Sequence, residues 1–290
     1  MTLRNLFSLA GKTALITGGS RGLGLQIAEA LGTHSPELME SQPELFAQHY
    51  AEAGLVEKSV ACWGAAGHRS AARSAMAEAA LQFQRGLDQL ALLPDDPQRQ
   101  QQELEFCSAL GAALMAVKGY AAPETGEAFA RARELWEQLG SPSGFLRIPY
   151  GQSLYHVARG ELCLAQRLDE DLLRLSRQRN DPASLVLGHL SSGRNLMLAG
   201  SFAPSRSHLE EAFALYDQIS DGSLVHQVGY HLQVLSQAWL GLVLFCLGFP
   251  HQALARASGA IKEAQELAHP PSLAVTWRSA PGCFRSSAMT

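Results

Sequence analysis

The residues best suited to chemistry lie in a glycine-rich turn near the N-terminus. The turn follows a short apolar run, 13–17, with the composition of a buried parallel strand, and apolar residues at helical spacing come after it. A turn without Cβ atoms lets a pyrophosphate approach the N-terminus of the next helix, where backbone N–H groups and the helix dipole favour an anion. Five residues are therefore candidate cofactor ligands: Gly18, Ser20, Arg21, Gly22 and Gly24.

The pattern Thr17-Gly18-x-x-x-Gly22-x-Gly24 resembles the cofactor loop of the short-chain dehydrogenases and reductases. The resemblance covers residues 1–33 and implies the first strand–turn–helix unit of a Rossmann fold, with NAD(P) bound and NADPH favoured by Arg21. The Tyr-x-x-x-Lys pair of that family is absent, and two prolines in 34–43 exclude a second central strand there. Residues 1–33 are thus predicted to be a truncated fragment, with NADP possible only if it is functional and no cofactor expected otherwise.

A different pattern runs through the rest of the chain, counted from four glycines: Gly54, Gly160, Gly200 and Gly248. The residues at +5 are Ser59, Ala165, Ser205 and Ala253; those at +9 are Trp63, Asp169, Leu209 and Ala257; those at +12 are Ala66, Leu172, Ala212 and Ala260. Only Asp169 breaks the series of small or apolar residues. A glycine that ends one helix, followed by small residues on one face of the next, predicts closely packed antiparallel helix pairs. The register resembles the tetratricopeptide (TPR) repeat.

Short Gly/Pro turns divide residues 35–272 into about ten or eleven predicted helices. The predicted fold class is mainly α: a TPR-like solenoid of antiparallel helix pairs over 34–272, preceded by the isolated Rossmann-type fragment. Gly67 is predicted to end a return helix over 55–66, with a long helix over 69–93 after it. Residues 273–290 lose helical periodicity and are predicted to be a disordered or frame-shifted tail.

Residues 35–272 also resemble the C-terminal TPR region of bacterial multidomain proteins that carry nucleotide-cyclase and AAA-type ATPase domains. The most specific string is Lys118-Gly119-Tyr120-Ala121-Ala122-Pro123-Glu124-Thr125. The resemblance implies an interaction or regulatory array for signal transduction, whose partner is another protein or upstream catalytic domains. The chain has no Walker A lysine and no paired metal-binding aspartates of a cyclase, so neither activity is assigned to it.

Composition excludes several classes of function. A formal charge of −4 and a pI of about 6.2 argue against nucleic-acid binding, which needs a concentrated basic face. The five cysteines are scattered and never form a C-x-x-C pair, which argues against disulfides or zinc and favours the reducing cytoplasm. No apolar run approaches the roughly 18–20 residues of a membrane span. The chain is therefore expected to be cytoplasmic, with no membrane contact.

Several other groups of polar or aromatic residues could form sites, but each also has a simpler structural explanation. The pair His226 and His231 is five residues apart, which diverges on a helix, so no metal ligand is predicted. The runs Glu210-Glu211 and Asp169-Glu170-Asp171 could be paired carboxylates, but solvated helix faces are expected. Hydrolase pairs such as Ser153 with His156, or Ser192 with His189, lack a nucleophile elbow.

Three tryptophans are expected in the core: Trp63, Trp136 and Trp239. Six arginines could line a groove for acidic peptide termini, with surface solvation as the alternative: Arg73, Arg85, Arg131, Arg133, Arg174 and Arg177.

No catalytic residue is therefore predicted. The preferred function is a non-catalytic TPR-type scaffold that binds a protein partner. The first alternative is an NAD(P)-dependent short-chain oxidoreductase supported by residues 12–32 alone, and the second is a gene fusion or misassembled reading frame.

Overall fold

The computed structural model describes residues 36–142, 145, 147–216 and 230–279, and every regular element in these ranges is an α-helix. Helices α1 to α5 span Pro36–Ser41, Pro43–Glu52, Val56–Ala72, Met76–Leu90 and Pro97–Lys118. Helices α6 to α10 span Pro123–Gln138, Arg147–Ala158, Leu162–Arg179, Pro182–Leu198 and Phe202–Tyr216. Helices α11 to α13 span Leu232–Cys246, Pro250–Glu266 and Pro270–Ser279. The predicted N-terminal strand and its glycine-rich turn lie outside the described residues.

Two compact units divide the chain, at 1–117 and 118–290. In unit 1, α3 packs against both α2 and α4. In unit 2, three hairpins follow one another: α7 with α8, α9 with α10, and α11 with α12, with α13 packed on the last of these. A helical repeat domain over 34–272 was expected as one piece, and the boundary at 117/118 falls inside it. The repeat pattern did not anticipate this division, because it describes each helix pair and not the contacts between distant pairs.

Each predicted corner glycine adopts the left-handed conformation that ends a helix. The φ angles are +75° at Gly54, +76° at Gly160, +79° at Gly200 and +86° at Gly248. After Gly248, the N–H of Phe249 donates to the C=O of Leu244 at 2.9 Å, which satisfies a carbonyl that the helix end leaves free. Proline at the first turn starts α2, α6, α9 and α12, where its missing N–H costs nothing. The helix-pair boundaries therefore follow from local sequence.

Packing between the paired helices follows the predicted count. All twelve residues at +5, +9 and +12 are buried, with at most 5% exposure. At two of the four +5 positions the side chain also forms a hydrogen bond: Ser59 Oγ donates to the C=O of Ala47 at 2.8 Å, and Ser205 Oγ donates to the C=O of Gly193 at 2.6 Å. Both acceptors lie seven residues before the corner glycine. The TPR-like character of the described helices is confirmed.

Gly67 does not end a helix, contrary to the prediction. It lies inside α3, which runs unbroken from Val56 to Ala72, and the next helix starts only at Met76. A Cβ at Gly67 would lie 2.5 Å from the Phe83 ring of α4. The glycine is needed for this close approach between helices, and Ser74, with φ of +60°, ends the helix instead.

The C-terminal end also differs from the prediction. Helix α13 covers Pro270–Ser279, so helical structure extends seven residues into the segment expected to be disordered, while 280–290 lie outside the described residues. Proline starts the helix, and burial of Ser272 and Thr276 anchors one face. Ser272 Oγ accepts from the N–H of His231 at 3.0 Å, which ties α13 to the start of α11. Polar residues on the buried face concealed the helical period.

Candidate functional site

A cleft opens in unit 1 between α2 and α4, with α3 as its floor. We call it the α2–α4 cleft, and its volume is about 250 Å³. Its lining residues are Gln48, Ala51, Glu52, Trp63, Arg85, Asp88 and Gln89. The two walls come from helices that both pack on α3, so the corner at Gly54 and the turn at Ser74 together fix the width of the cleft.

The side chains that line this cleft include both hydrogen-bond donors and acceptors. Gln48 Nε2 donates to Glu52 Oε1 at 3.3 Å on one wall. On the other wall, the Arg85 guanidinium stacks over the Trp63 ring at 5.1 Å from its centroid. Gln89 Oε1 is buried and accepts no hydrogen bond from the described protein atoms. Because a buried acceptor without a donor is unfavourable, this oxygen favours a ligand N–H or a water molecule at the cleft.

A cluster of buried polar side chains lies in unit 2, where α7, α8 and α9 meet. We call it the Asp169 cluster, and its members are Ser153, Asp169, Ser191, Arg194 and Asn195, none more than 5% exposed. Asp169 Oδ1 accepts from Ser191 Oγ at 2.7 Å, and Oδ2 accepts from Asn195 Nδ2 at 2.5 Å. Asn195 Nδ2 also donates to Ser153 Oγ at 3.0 Å. The prediction that Asp169 lies on a solvated helix face is therefore wrong; its neighbour Glu170 is exposed.

Burial sets the electrostatics of the Asp169 cluster. Desolvation raises the pKa of Asp169 to about 6, against the opposing effects of the Arg194 charge and of hydrogen bonds from Ser191, Ser153 and Asn195. Arg194 donates to Ser191 Oγ at 2.9 Å and to Asn195 Oδ1 at 3.0 Å. Its guanidinium also lies 5.4 Å from the centroid of the Tyr150 ring, which is itself buried. A buried carboxyl and a buried guanidinium thus share one set of hydroxyl and amide groups.

A pair of histidines connects α9 and α10. The rings of His189 and His208 are 5.0 Å apart, and each Nδ1 is buried without a hydrogen-bond partner among the described atoms. Desolvation lowers the pKa of His189 to about 4, helped by the charges of His208 and Arg177, and desolvation and Arg177 also lower the pKa of His208. Within the described residues, no three His, Cys, Asp or Glu side chains are grouped as metal ligands.

The remaining predicted residues separate into different places. The candidate cofactor ligands Gly18, Ser20, Arg21, Gly22 and Gly24 lie outside the described residues, as does His226. His156 Nδ1 pairs with Glu161 Oε2 at 2.6 Å, whereas Ser153 belongs to the Asp169 cluster, so the serine and histidine serve separate interactions. Trp63 and Trp136 are in the core at 4% exposure, and Trp239 is half-buried.

The six arginines are divided between the two compact units. Arg73 and Arg85 belong to unit 1 and the other four to unit 2. Arg131 and Arg174 pair with carboxylates on their own helices, at 3.3 Å to Glu134 and 2.7 Å to Asp171. Arg133 pairs with Glu137 on α6 in the same way. Of the six, only Arg85 lines the α2–α4 cleft.

Neither candidate site was assigned from the sequence. The α2–α4 cleft brings together residues that are about 40 positions apart, and no local pattern marks them. The Asp169 cluster did leave a signal, because Asp169 interrupts an otherwise small or apolar +9 position.

No known protein-family model matches this sequence, and no curated protein matches it. Solved structures do match the fold. Apo RapI aligns with a TM-score of 0.60 at 11% identity, covering 79% of this chain and 80% of its own. A Rap protein complexed with Competence and Sporulation Factor aligns with a TM-score of 0.63 at 11% identity, covering 84% and 67%. NprR in complex with its cognate peptide NprX aligns with a TM-score of 0.61 at 10% identity, covering 91% and 74%. This chain thus has the TPR-like helical repeat fold of these proteins.

Proposed function

We propose that this chain is a non-catalytic interaction module that binds an extended segment of a partner protein in the α2–α4 cleft. The observation that carries the proposal is the lining of the cleft, which combines carboxylate and amide acceptors with amide and guanidinium donors and includes Gln89 Oε1, which accepts no hydrogen bond from the described protein atoms. An extended backbone presents N–H and C=O groups in alternation, so it can satisfy both kinds of group at once.

The fold comparison supports the same class of ligand. Two of the similar proteins, NprR and the Rap regulator of plasmid pLS20, were solved with a bound peptide. Stacked helix pairs present long surfaces that suit extended ligands, and catalysis by this fold would need grouped reactive side chains. The buried ionisable groups around Asp169 are occupied by hydrogen bonds within their own cluster.

Peptide panning would test this proposal. Linear seven-residue peptides displayed on phage are selected against the full chain, and the affinities of the selected sequences are then measured by calorimetry. The variant Arg85→Ala removes the donor that stacks on Trp63, and we expect it to weaken these peptides about tenfold or more. The matched control is Arg73→Ala, which makes the same charge change at an exposed site at the end of α3.

Peptides that bind both variants equally would place the binding site elsewhere. Failure to select any sequence against the wild-type chain would remove the support for a peptide ligand. Because Arg85 and Arg73 are both exposed, neither replacement is expected to unfold unit 1.

The sequence resemblance favours one kind of partner. Residues 35–272 resemble regions that follow nucleotide-cyclase and AAA-type ATPase domains, so we propose a regulatory role in signalling, with such domains or a separate cytoplasmic protein as partner. No described helix combines the length and the hydropathy needed to cross a bilayer.

A second candidate function rests on the N-terminal motif. The turn Gly18 to Gly24 favours NADPH binding by a short-chain-dehydrogenase-like fragment, with Ser20, Arg21 and Gly22 as contacts. Calorimetric titration of the full chain with NADPH and NADH tests it. Micromolar binding that is lost in Gly22→Asp, which places a carboxylate where the pyrophosphate would lie, would support a working cofactor site. No heat with either cofactor would leave the chain as an interaction module alone.

A further inference from the structure

One of the four helix pairs departs from the others at its central contact. Seven residues before the corner glycine, the other pairs have Ala47, Gly193 and Gly241, and nine residues after it they have Trp63, Leu209 and Ala257, all buried. The α7–α8 pair has Ser153 and Asp169 at these two positions, and both are also buried. A polar contact therefore replaces an apolar one at an equivalent place in the repeat.

The hydrogen bonds of the Asp169 cluster join successive pairs as well as the two helices of one pair. Ser153 comes from α7, Asp169 from α8, and Ser191 and Asn195 from α9. Asp169 accepts from Ser191 and Asn195 of α9 at 2.7 and 2.5 Å, and Asn195 also donates to Ser153 of α7 at 3.0 Å. The cluster is thus a three-helix junction whose strength depends on the state of one carboxyl group.

The hydroxyl groups allow the junction to exist in two protonation states. Ser153 Oγ and Ser191 Oγ are 3.2 Å apart, and either can be the donor. When Asp169 is ionised, Ser191 must donate to it. When Asp169 is protonated, its O–H can donate to Ser191, which can then turn its own proton toward Ser153. The cluster therefore keeps its hydrogen bonds in both states, while the charge buried within it changes.

The charged and titratable groups around Asp169 are few. Arg194 approaches from α9 and supplies the positive charge, and Tyr150 from α7 stacks on that guanidinium. On α8, Asp171 pairs with Arg174 and is partly exposed. The Arg194 guanidinium donates to Ser191, Ser153 and Asn195, the groups that also surround Asp169. Its attraction compensates incompletely for desolvation of the carboxylate.

We propose that the Asp169 cluster is a protonation-dependent junction between the α7–α8 pair and α9. The junction is most stable when Asp169 is protonated and less stable when Asp169 is ionised. This inference goes beyond the proposed binding function and does not depend on it, since the cluster lies in unit 2 and the α2–α4 cleft in unit 1.

The difference between the folded and unfolded pKa values of Asp169 sets the direction in which stability changes with pH and the pH range of that change. The pKa of Asp169 in the folded chain, about 6, is above the value of 3.8 for the free group. The stabilising contribution of the protonated carboxyl is therefore complete below about pH 4 and is lost as the pH rises through about 6. Acidification from about pH 7.5 to about pH 5 should thus stabilise the junction against local opening. The two pKa values imply about a tenfold change in the local opening constant.

Histidines change stability in the opposite direction over the same pH range. The lowered pKa values of His189, His208 and His231 mean that acidification below about pH 6.5 destabilises unit 2 through these side chains. A pH profile of the wild-type chain alone would mix the two effects. A ratio between wild type and an Asp169 variant cancels the histidine contribution, because both chains carry the same histidines.

The experiment compares amide hydrogen exchange in α8 and α9 between the full-length wild-type chain and Asp169→Asn, at about pH 5 and about pH 7.5, after correction for intrinsic exchange. We expect protection in Asp169→Asn relative to wild type to be about tenfold higher at the higher pH than at the lower. The control Asp171→Asn, on the same helix but partly exposed, should give a ratio that does not depend on pH. A ratio for Asp169→Asn that is equal at both pH values would assign the carboxyl a purely structural role and overturn the proposal.

A second measurement covers the case in which Asp169→Asn does not fold. Carbon-13 NMR of the wild-type chain, labelled at the aspartate carboxyls, follows each group through its titration. One buried carboxyl that titrates near pH 6, and whose resonance moves in Ser191→Ala, is the expected result. Titration of every aspartate near or below pH 4 would overturn the proposal.

Discussion

A serine hydroxyl joins the two helices of a pair at two equivalent places in the chain. Ser205 is fully buried and donates to the C=O of Gly193, as Ser59 does to Ala47. The other two pairs have Ala165 and Ala253 at the same position, both fully buried, so the repeat accommodates alanine there. We therefore expect Ser205→Ala to lose only the hydrogen bond, about 1 kcal/mol of the free energy of unfolding.

Urea denaturation measures that difference. Ser207→Ala is the matched control, because Ser207 lies on the same helix, is exposed and bonds only to Ala203 at 3.4 Å. Its change should stay within about 0.5 kcal/mol. Equal effects of the two substitutions would show that the buried hydroxyl adds nothing to the contact between the helices.

At the scale of helices, the two members of a pair end differently. The first helix ends at a glycine with positive φ, whereas the second ends at Ser74, Asn180 or Ala268, with φ of +60°, +50° and +47°. Asparagine tolerates this conformation, but the Cβ of alanine crowds the following carbonyl, at a cost of roughly 1–2 kcal/mol. Ala268→Gly should therefore raise the free energy of unfolding by about 0.5–1 kcal/mol after the entropy of glycine is counted.

The opposite result is expected inside a helix. Ala255 is exposed within α12, and Ala255→Gly should lower the stability by about 1 kcal/mol, since glycine there gains nothing from a left-handed backbone. Thermal unfolding of the two variants beside the wild type tests both signs in one experiment. A loss of stability in both would show that the end of α12 is not strained at Ala268.

Most helix ends are predicted correctly from the sequence, but the clearest wrong prediction also concerns a helix end. Gly54 and Gly67 both follow an alanine, and both were expected to end a helix. Only Gly54 has positive φ; Gly67 is helical and faces the Phe83 ring. The difference lies in a contact with another helix, which local sequence does not contain.

At the scale of the whole molecule, repeat counting predicted the helix pairs and their buried faces, because spacing within a hairpin is a local property. It did not predict the division at 117/118 or the Asp169 cluster, which depend on how one pair meets the next. The α2–α4 cleft was not predicted either, because it also depends on contacts between helices that are distant in sequence. Asp169 was expected at the surface but is buried at the centre of a three-helix junction. The sequence indicated this only through the polar residue at a +9 position that is otherwise small or apolar.

The hydroxyl-to-carbonyl contacts of Ser59 and Ser205 each close over 12 residues of chain. Contacts between residues so near in sequence cost little loop entropy, and proteins rich in them fold quickly. A chain leaving the ribosome at about 5–20 residues per second can complete one hairpin while the next is still being translated. Growth would then expose only the newest helix face at any moment, which limits the apolar surface open to aggregation during synthesis.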